Sequence, residues 1–474
     1  MPFQNFRYLA CAAAAATIAL PAAALGQTLQ EALAFAYTNN PALGAARAQV
    51  RVVDENVPQA LAGWRPTISL SGSAGYADGN IRQRSITPSP LNGQRTITTA
   101  ESDREVGALS ATVTQPLYRG GRTVAQTRRA ENQVLAQRAR LLATEQQVLQ
   151  DAVSAYVNVI RFQEEVRLNL NNVQVLQRQL DATNARFRVG EITRTDVAQA
   201  ESRLAGARST RADSEGQLAN SRAGFQRTIG LAPNRLVAPQ PLTTAVRSNE
   251  EAAQVASVNN PNVIAALFDE AAARDFIDVQ LGVLLPSASL QGQAFRNDNQ
   301  TQPGTRSTGQ QITATLTVPL FQGGAEYAAV RQARQDATRL RQVVDDQRRA
   351  STQQAIQAWE TLQSARATVE ATRAQIRAAE VALDGVQREA VVGSRTTLDV
   401  LNAEQELLNA RVSLVRALAN VVTASHSLAQ AVGRLTARDL RLPVPLYDAT
   451  AYYRAVRDRW AGLGDYAPPQ PVAN

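Results

Sequence analysis

Two kinds of hydrophobic spacing alternate along this chain, and they predict two kinds of secondary structure. Long stretches rich in alanine, glutamine and arginine place apolar residues every three to four positions, as amphipathic helices do. One of them, 122–188, has neither proline nor glycine and at about 1.5 Å per residue predicts a helix roughly 100 Å long. Shorter stretches alternate apolar with polar residues, which is typical of strands with one apolar face. We expect strands at 67–77, 106–115, 287–295 and 311–318.

The same order of elements occurs twice: short helix, two strands, long helix, short helix. Asn-Asn-Pro at 39–41 is matched by the same triplet at 259–261. Pro-Leu-aromatic-x-Gly-Gly, which closes a strand and opens a helix, stands at 116–121 and again at 319–324. The interval between matching motifs shortens inside the strand pair, which predicts a longer polar loop, 78–105, in the first copy.

This duplication sets the expected boundaries of the regions. A first structural repeat covers 27–232, a proline-punctuated linker 233–249, and a second repeat 250–435. An irregular tail, 436–474, follows, with a short helix expected near 449–461 and a mobile end.

Each long helix ends in a turn of similar sequence. The turns read Val-Gly-Glu-Ile-Thr-Arg-Thr-Asp-Val at 189–197 and Val-Gly-Ser-Arg-Thr-Thr-Leu-Asp-Val at 392–400. The glycine suits the left-handed backbone that ends a helix, and threonine followed three residues later by aspartate predicts a capping box. Both long helices are therefore expected to fold back as hairpins. The two short helices of each repeat, placed end to end, match the long one in length and should pack beside it.

Composition narrows the class of protein. The chain is 44% hydrophobic but only 5% aromatic, which suits thin packed helices rather than a round core. Its net charge of +8 comes from arginines spread along the helices, without a basic stripe interleaved with aromatics, so we expect no nucleic-acid partner. The single histidine, His426, has no metal-ligand cluster around it in sequence, and neither a nucleophile elbow nor a phosphate-binding glycine loop is present. We expect no enzyme activity, metal or cofactor.

The N-terminus is typical of a secretory signal peptide, 1–26. Arg7 supplies the positive region, an apolar run follows, and Ala24-Leu25-Gly26 is a small-residue cleavage site. The only cysteine, Cys11, lies inside this segment. Beyond it we find no apolar run that predicts a membrane-spanning helix, so any membrane crossing is expected to be made by strands.

Four strands of about ten residues are long enough to cross a membrane but too few to close a barrel. An open sheet edge in lipid would leave backbone groups unpaired, so several chains are expected to share one barrel. Two chains give eight strands and a filled interior, whereas three give twelve and a lumen, which we prefer. Two alternatives remain: a soluble protein whose small sheet caps a helical bundle, and a secreted coiled-coil filament without a pore.

Taken together, these features resemble the TolC family of trimeric outer membrane efflux and secretion ducts. The resemblance covers about residues 28–435 and rests on the duplication, the Asn-Asn-Pro triplets, Trp-Arg-Pro at 64–66 against Leu-Leu-Pro at 284–286, the strand-to-helix junctions and the paired turns. It implies a mostly α fold with a small membrane β part. A homotrimer would form a twelve-stranded barrel in the outer membrane of a Gram-negative bacterium, continued by a helical tunnel across the periplasm.

The resemblance also implies a passive exit duct with partners. A periplasmic adaptor and an inner-membrane pump or ABC transporter would dock at the hairpin tips and open the duct, for drugs or for a secreted protein. The docking residues implied are Gly190, Thr193, Thr195, Gly393, Thr396 and Thr397.

By the same resemblance the periplasmic gate involves four residues. Asp399 falls on an acidic ring, and Asn402 falls where a second acidic residue often stands. Arg395 and Asp196 fall on positions that link the two hairpins, whereas Ala390 replaces a tyrosine that contributes another link. The residues alone also allow a simpler interpretation, in which both aspartates cap helices and Arg395 is a solvated charge.

Overall fold

The structure is a computed structural model and describes residues 27–87, 94–243, 246–300 and 303–464. The predicted signal peptide and the last ten residues lie outside these ranges. The first repeat contains α1 (Leu29–Asn39), α2 (Pro41–Asp54), α3 (Asn56–Leu61), β1 (Thr67–Thr87), β2 (Gln94–Arg119), α4 (Arg122–Arg188) and α5 (Arg194–Ile229). The second contains α6 (Asn249–Asn259), α7 (Pro261–Leu281), β3 (Ser287–Asp298), β4 (Arg306–Thr317), α8 (Ala325–Val391) and α9 (Thr397–Ala431), and the tail adds α10 (Ala451–Val456).

The two long helices, α4 and α8, each have 67 residues and occupy equivalent places in the two repeats. α4 forms a hairpin with α5, α8 forms one with α9, and α7 packs against both long helices. The turn into α4 is held close to the end of α7. At Gly120, where φ is 61°, a β-carbon would lie 2.3 Å from the carbonyl oxygen of Gly282. Only glycine fits there, because a side chain would meet backbone that has no room to move.

Two asparagines join the short helices end to end. Asn40 caps α2 with its side-chain oxygen, and its Nδ2 donates to the carbonyl oxygen of Thr228, in the last turn of α5, at 2.9 Å. Asn260 caps α7 in the same way and donates to the carbonyl oxygen of Ala431, at the end of α9, at 3.2 Å. The second asparagine of each Asn-Asn-Pro triplet therefore accepts from an unpaired N–H at the start of one helix and donates to an unpaired carbonyl at the end of another. This is how two short helices continue one another along a long one.

The four strands form one antiparallel sheet in the order β1-β2-β3-β4. Their register places most apolar residues of the four strands on one face, because residues that pair across strands point to the same side. This apolar face is formed by Ile68, Leu70, Leu109, Ala111, Val113, Leu290, Ala294, Ile312, Ala314 and Leu316. The opposite face is mostly polar, although Phe295 lies on it opposite Ser110. On this face Ser71 bonds to Ser110 at 2.8 Å and Gln311 donates to Gln293 at 2.7 Å.

The prediction of a polar loop at 78–105 is wrong for the part of this range that the structure describes. β1 continues to Thr87 and β2 starts at Gln94, with a ladder that reaches the pair Thr87 and Gln94. β1 and β2 therefore have 21 and 26 residues, against 12 each for β3 and β4. The extra residues extend past the second strand pair, whose last pairing with β2 is between Gly107 and Asp298, and their backbone groups are paired with one another.

The largest hydrophobic core surrounds the middle of α4. Tyr156 is fully buried there, packs against Phe225 of α5, and lies with its hydroxyl 2.7 Å from the carbonyl oxygens of both Gln27 and Val237. Burial raises the pKa of Tyr156 to about 12, so it remains a hydrogen-bond donor. α4 thus holds the start of the described chain and the linker between repeats at one level.

The tail packs along the first repeat through arginine–aromatic stacks. The guanidinium of Arg47 lies between the rings of Tyr37 and Tyr447, at 4.6 and 5.2 Å from their centroids. Further on, Arg138 of α4 lies 5.2 Å from the ring of Tyr453. The helix expected near 449–461 is shorter, since α10 ends at Val456.

One helix contradicts the expectation that no later segment is apolar enough to span a membrane. α9 meets that test by length and composition, with a mean hydropathy of 1.2 over its most apolar stretch. Its apolar residues have other neighbours, however. Leu428 and Ala431 lie in one hydrophobic cluster and Val422 in another, and the helix pairs with α8 along its length. Part of the apolar surface of α9 therefore serves helix packing within the chain.

The helix joint at Asn260 provides a first test. We expect Asn260→Ala to lower the stability of the fold by about 2 kcal/mol, because it removes an N-cap and leaves the carbonyl of Ala431 unpaired in a buried place. The measurement is the midpoint of thermal loss of helix circular dichroism in detergent. The neighbouring Asn259→Ala is the matched control, since the side chain of Asn259 is exposed. Equal midpoints for the two variants would contradict this role.

A second test concerns Asp54 of α2, which is fully buried, with its nearest cation, Arg138, at 3.7 Å. Desolvation raises its pKa from 3.8 to about 6. The folded state therefore binds the proton more tightly than the unfolded state, so the stabilising contribution is complete below about pH 4 and is lost as the pH rises through about 6. We expect Asp54→Asn to stabilise the protein at about pH 7.5 by up to about 3 kcal/mol and to have little effect at about pH 4.

Thermal midpoints measured across this pH range check the prediction. Asp213→Asn, at an exposed position of α5, is the control and should change neither value. An Asp54→Asn midpoint that is unchanged at about pH 7.5 would show that the carboxylate is well solvated or paired.

Candidate gate at the hairpin tips

The two hairpin tips have nearly identical backbones. Gly190 and Gly393 both have φ of 79°, and no neighbouring atom lies within 4 Å of the place where a β-carbon would be. The N–H of Gly190 donates to the carbonyl of Phe187 at 2.9 Å, and the N–H of Gly393 donates to that of Ala390 at 3.2 Å. Because the space around both glycines is open, a side chain would meet no neighbour there. Glycine is therefore needed at both tips for its left-handed backbone.

Both expected capping boxes are present. In the first tip the side chain of Thr193 accepts from the N–H of Asp196 at 3.3 Å, while Asp196 accepts from the N–H and hydroxyl of Thr193 at 3.0 and 2.7 Å. In the second, Thr396 and Asp399 make the same three bonds at 3.3, 3.0 and 2.8 Å. The hydroxyl and backbone of Thr193 lower the pKa of Asp196, and the backbone and hydroxyl of Thr396 lower that of Asp399.

Each tip also carries one exposed ion pair, with the charges reversed between tips. In the first, Arg186 of α4 pairs with Glu191 of the turn, at 2.5 Å. In the second, Glu389 of α8 pairs with Arg395 of the turn, at 2.8 Å. Arg395 is thus engaged within its own hairpin, and its hydrogen bond to Glu389 raises its pKa. Exposed pairs of this kind contribute at most about 1 kcal/mol, so they are easily exchanged for other partners.

The structure places Asn402 one turn beyond Asp399, on the side of α9 that faces the first hairpin. Its Oδ1 accepts a hydrogen bond from Nη2 of Arg203, on α5, at 2.8 Å. This bond joins the two hairpins of one chain close to their tips. Arg203 is a residue that sequence reasoning missed, because its partner lies 199 positions away and no local pattern marks the pair.

A small apolar cluster holds the hairpins together behind this bond. Leu401 of α9 is buried against Leu176 of α4 and Leu204 of α5. Glu404, nearly one turn beyond Leu401 on α9, is partly buried as well, and desolvation raises its pKa. Two residues of this cluster, Leu204 and Leu401, are sequence neighbours of Arg203 and Asn402. They therefore fix the position of the hydrogen bond between the two hairpins.

The other predicted residues remain separate within one chain. Asp196 and Asp399 each bond within their own tip, as does Arg395, so the single chain shows capping rather than a link between tips. Thr195 and Thr397 lie in the first turns of α5 and α9, the former exposed and the latter half-buried. Apolar side chains surround the glycines: Val189, Val391 and Val392 are 78 to 86% exposed.

His426 lies far from the tips and inside the protein. It is buried, its Nδ1 lies 2.8 Å from the carbonyl oxygen of Val422, and desolvation lowers its pKa. Among the described residues no cluster of histidine, cysteine and carboxylate side chains has the geometry of a metal site.

Paired helical hairpins, a sheet with one apolar face and polar tips define the class: duplicated channel proteins of the outer membrane. The comparison with known families agrees. The profile of the family described as outer membrane efflux protein matches residues 29–231 and 252–434, which are the two repeats. The chain belongs to this family and is an outer membrane protein with a periplasmic helical part. Members of the family are channel proteins.

Individual relatives support the same family, and a solved structure supports the fold. The chain is 35% identical to outer membrane efflux protein BepC of Brucella suis over 449 residues, which cover 94% of each chain. It is 27% identical to outer membrane protein TolC of Vibrio cholerae, over 89% of this chain and 94% of that protein. Its fold is similar to the crystal structure of VceC from Vibrio cholerae, with a TM-score of 0.70 and 18% identity over 85% of this chain and 96% of that one.

The contact between Arg203 and Asn402 can be tested with spin labels. With Val189→Cys and Val392→Cys labelled, in protein diluted with unlabelled chains, we expect Arg203→Ala to raise the population of separated tips about fivefold, the equivalent of about 1 kcal/mol. Pulsed electron paramagnetic resonance measures the distance distribution.

Arg208→Ala is the matched control, because Arg208 of α5 donates at 3.0 Å to Gln177 within its own hairpin. It should leave the distribution unchanged. If both variants broaden the distribution equally, the effect belongs to the loss of any arginine from α5 and not to the bond between hairpins.

Proposed function

We propose that three copies of this chain form a passive exit duct across the outer membrane and periplasm, serving a tripartite efflux pump or a type I secretion system. The energy is supplied elsewhere, by an inner-membrane pump or ABC transporter that a periplasmic adaptor connects to the tips. The name of the relative BepC, an efflux protein at 35% identity, favours efflux as the main use.

The observation that carries the proposal is the four-stranded sheet with one apolar face and two open edges. β3 and β4 have 12 residues each, and a tilted strand of about ten residues spans a membrane. The backbone groups along the outer edges of β1 and β4 have no partner strand among the described residues. In lipid each such group costs several kcal/mol, so β1 of one copy must pair with β4 of another. Three copies close twelve strands around a lumen lined by the polar face.

The tips supply the gate and the docking surface of the proposed duct. Three copies of Asp399 around one axis form an acidic ring that attracts cations and repels itself, and Asn402 leaves a second ring uncharged. Arg395 and Asp196 exchange their own-tip partners for partners on the adjacent hairpin when the duct closes. The adaptor contacts Gly190, Gly393 and the capping threonines, where exposed Val189 and Val392 provide apolar area.

The decisive experiment is assembly and conductance of the purified mature protein. We expect a trimer in mild detergent that resists dissociation on mild heating, and ion conductance after insertion into a planar bilayer. A monomer that stays in the aqueous fraction after membrane lysis, or a soluble rod without conductance, would overturn the proposal in favour of a filament.

Asp399 has its own test within that experiment. We expect Asp399→Ala to weaken block of the conductance by trivalent cations by about fivefold or more, since three carboxylates are lost from one narrow ring. Bilayer recordings with increasing cation concentration give the block constant. The matched control is Thr396→Ala, which breaks the same capping box but leaves the carboxylate of Asp399 in place. Equal effects of the two variants would assign Asp399 to capping alone.

A further inference from the structure

The end of the tail carries an exposed tryptophan at the level where helices give way to strands. The ring of Trp460 lies 5.2 Å from the guanidinium of Arg65, whose Nη1 donates to the carbonyl oxygen of Arg459. Arg65 stands two residues before the first residue of β1, Thr67. These contacts fix the tail end beside the base of the sheet.

Trp460 uses little of its surface in this contact. It is 70% exposed, and Leu463, three residues later, is fully exposed. The chain has only three tryptophans, and a second one, Trp64, is also exposed at this level. An exposed indole is costly in water but is favoured at the boundary between lipid headgroups and hydrocarbon, where the ring is buried and its N–H stays hydrated.

The surface around Trp460 is basic. Arg454, Arg457 and Arg459 are exposed on the same short segment, against one carboxylate, Asp458. Arg457 lies 3.6 Å from Glu131, whereas neither Arg454 nor Arg65 has a carboxylate within ion-pair distance among the described residues. A surface of this kind favours anionic over zwitterionic headgroups, by about fivefold for each arginine close to the bilayer.

The tail packs on a layer of helices in which α4 has a helix on each side, α3 and α7. Tyr453 packs against Val57 and Ala60 of α3 and against Val134 of α4, and α4 has α7 on its other side. The tail therefore covers either the lumen face or the outer face of the wall. Three tails inside would narrow the lumen of the proposed duct, so the outer face is the one compatible with it.

We propose that residues 454–463 form a lipid-binding anchor that holds anionic phospholipid headgroups of the periplasmic leaflet of the outer membrane. Trp460 and Leu463 enter the headgroup boundary, and Arg454 and Arg65 face the phosphates. The anchor rests on the proposed function, because strand β1 must cross the outer membrane whose headgroups the anchor binds. It gives the tail a role beyond packing: it sets the depth of the helical part below the bilayer.

The test uses single-tryptophan versions of the full-length protein reconstituted in phosphatidylcholine vesicles doped with brominated phosphatidylglycerol. Trp460 remains alone in the double variant Trp64→Phe, Trp359→Phe. We expect its fluorescence to be quenched by the brominated lipid, because bromine quenches only on contact. Trp359, on α8, remains alone in Trp64→Phe, Trp460→Phe and should not be quenched.

Arginine substitutions then test the choice of lipid. In the Trp460 protein we expect Arg454→Gln to lower the binding constant for phosphatidylglycerol relative to phosphatidylcholine by about fivefold. Arg366→Gln, at an exposed position of α8, is the matched control and should leave the constant unchanged. Equal quenching at equal mole fraction of anionic and zwitterionic brominated lipid would overturn the assignment to anionic headgroups.

Conductance of the same vesicles separates the anchor from the duct. If the vesicles conduct but Trp460 is quenched by aqueous acrylamide and not by brominated lipid, the anchor is wrong and the duct stands. If the protein neither inserts nor conducts, the proposed function and the anchor fall together.

Discussion

The structure depends on one constraint: every backbone N–H and C=O group of a strand needs a hydrogen-bond partner where water is absent. Within the described chain the sheet satisfies this for β2 and β3, which have neighbours on both sides, and not for the outer edges of β1 and β4. The apolar face is suited to contact with lipid, since Ile68 and Ile312 are more than three-quarters exposed. Lipid on one face and missing partners at two edges leave association with further copies as the solution, and this links the fold to a channel.

The helical part follows a second constraint: its layer of packed helices must stay continuous over the length of α4 and α8, which no single short helix covers. α4 and α8 cover it in one piece, whereas their neighbours are broken at Asn40 and Asn260. At each break the asparagine supplies both an acceptor to a helix start and a donor to a helix end. A break would otherwise expose polar groups in the middle of a packed wall. The duplication of this joint explains why two chemically different repeats keep the same wall length.

Much of this architecture could be predicted from the sequence, because it is written in local signals. Uninterrupted helical periodicity marked α4, alternation marked the strand faces, and Thr193 with Asp196 marked a helix start. The prediction of a loop at 78–105 was wrong because polar composition indicates only solvent exposure. Strands and loops outside a membrane can both be exposed to solvent. Two contacts were beyond any local pattern. Arg203 with Asn402, and Arg65 with Trp460, join distant parts of the chain, and each depends on how the elements between them pack.

At the candidate gate, capping accounts for some of the tip residues and not for others. Asp196 and Asp399 make the same capping bonds, so capping explains why both are aspartates but cannot distinguish the two tips. What differs is the ion pair: the turn of the first tip carries Glu191 and that of the second carries Arg395, each paired back to its own long helix. Opposite charges on adjacent tips attract one another, and exposed pairs give up little free energy when they change partners. In the proposed duct, tips built in this way would join or separate at low cost, while Leu401 and its apolar neighbours keep the hairpins of one chain aligned.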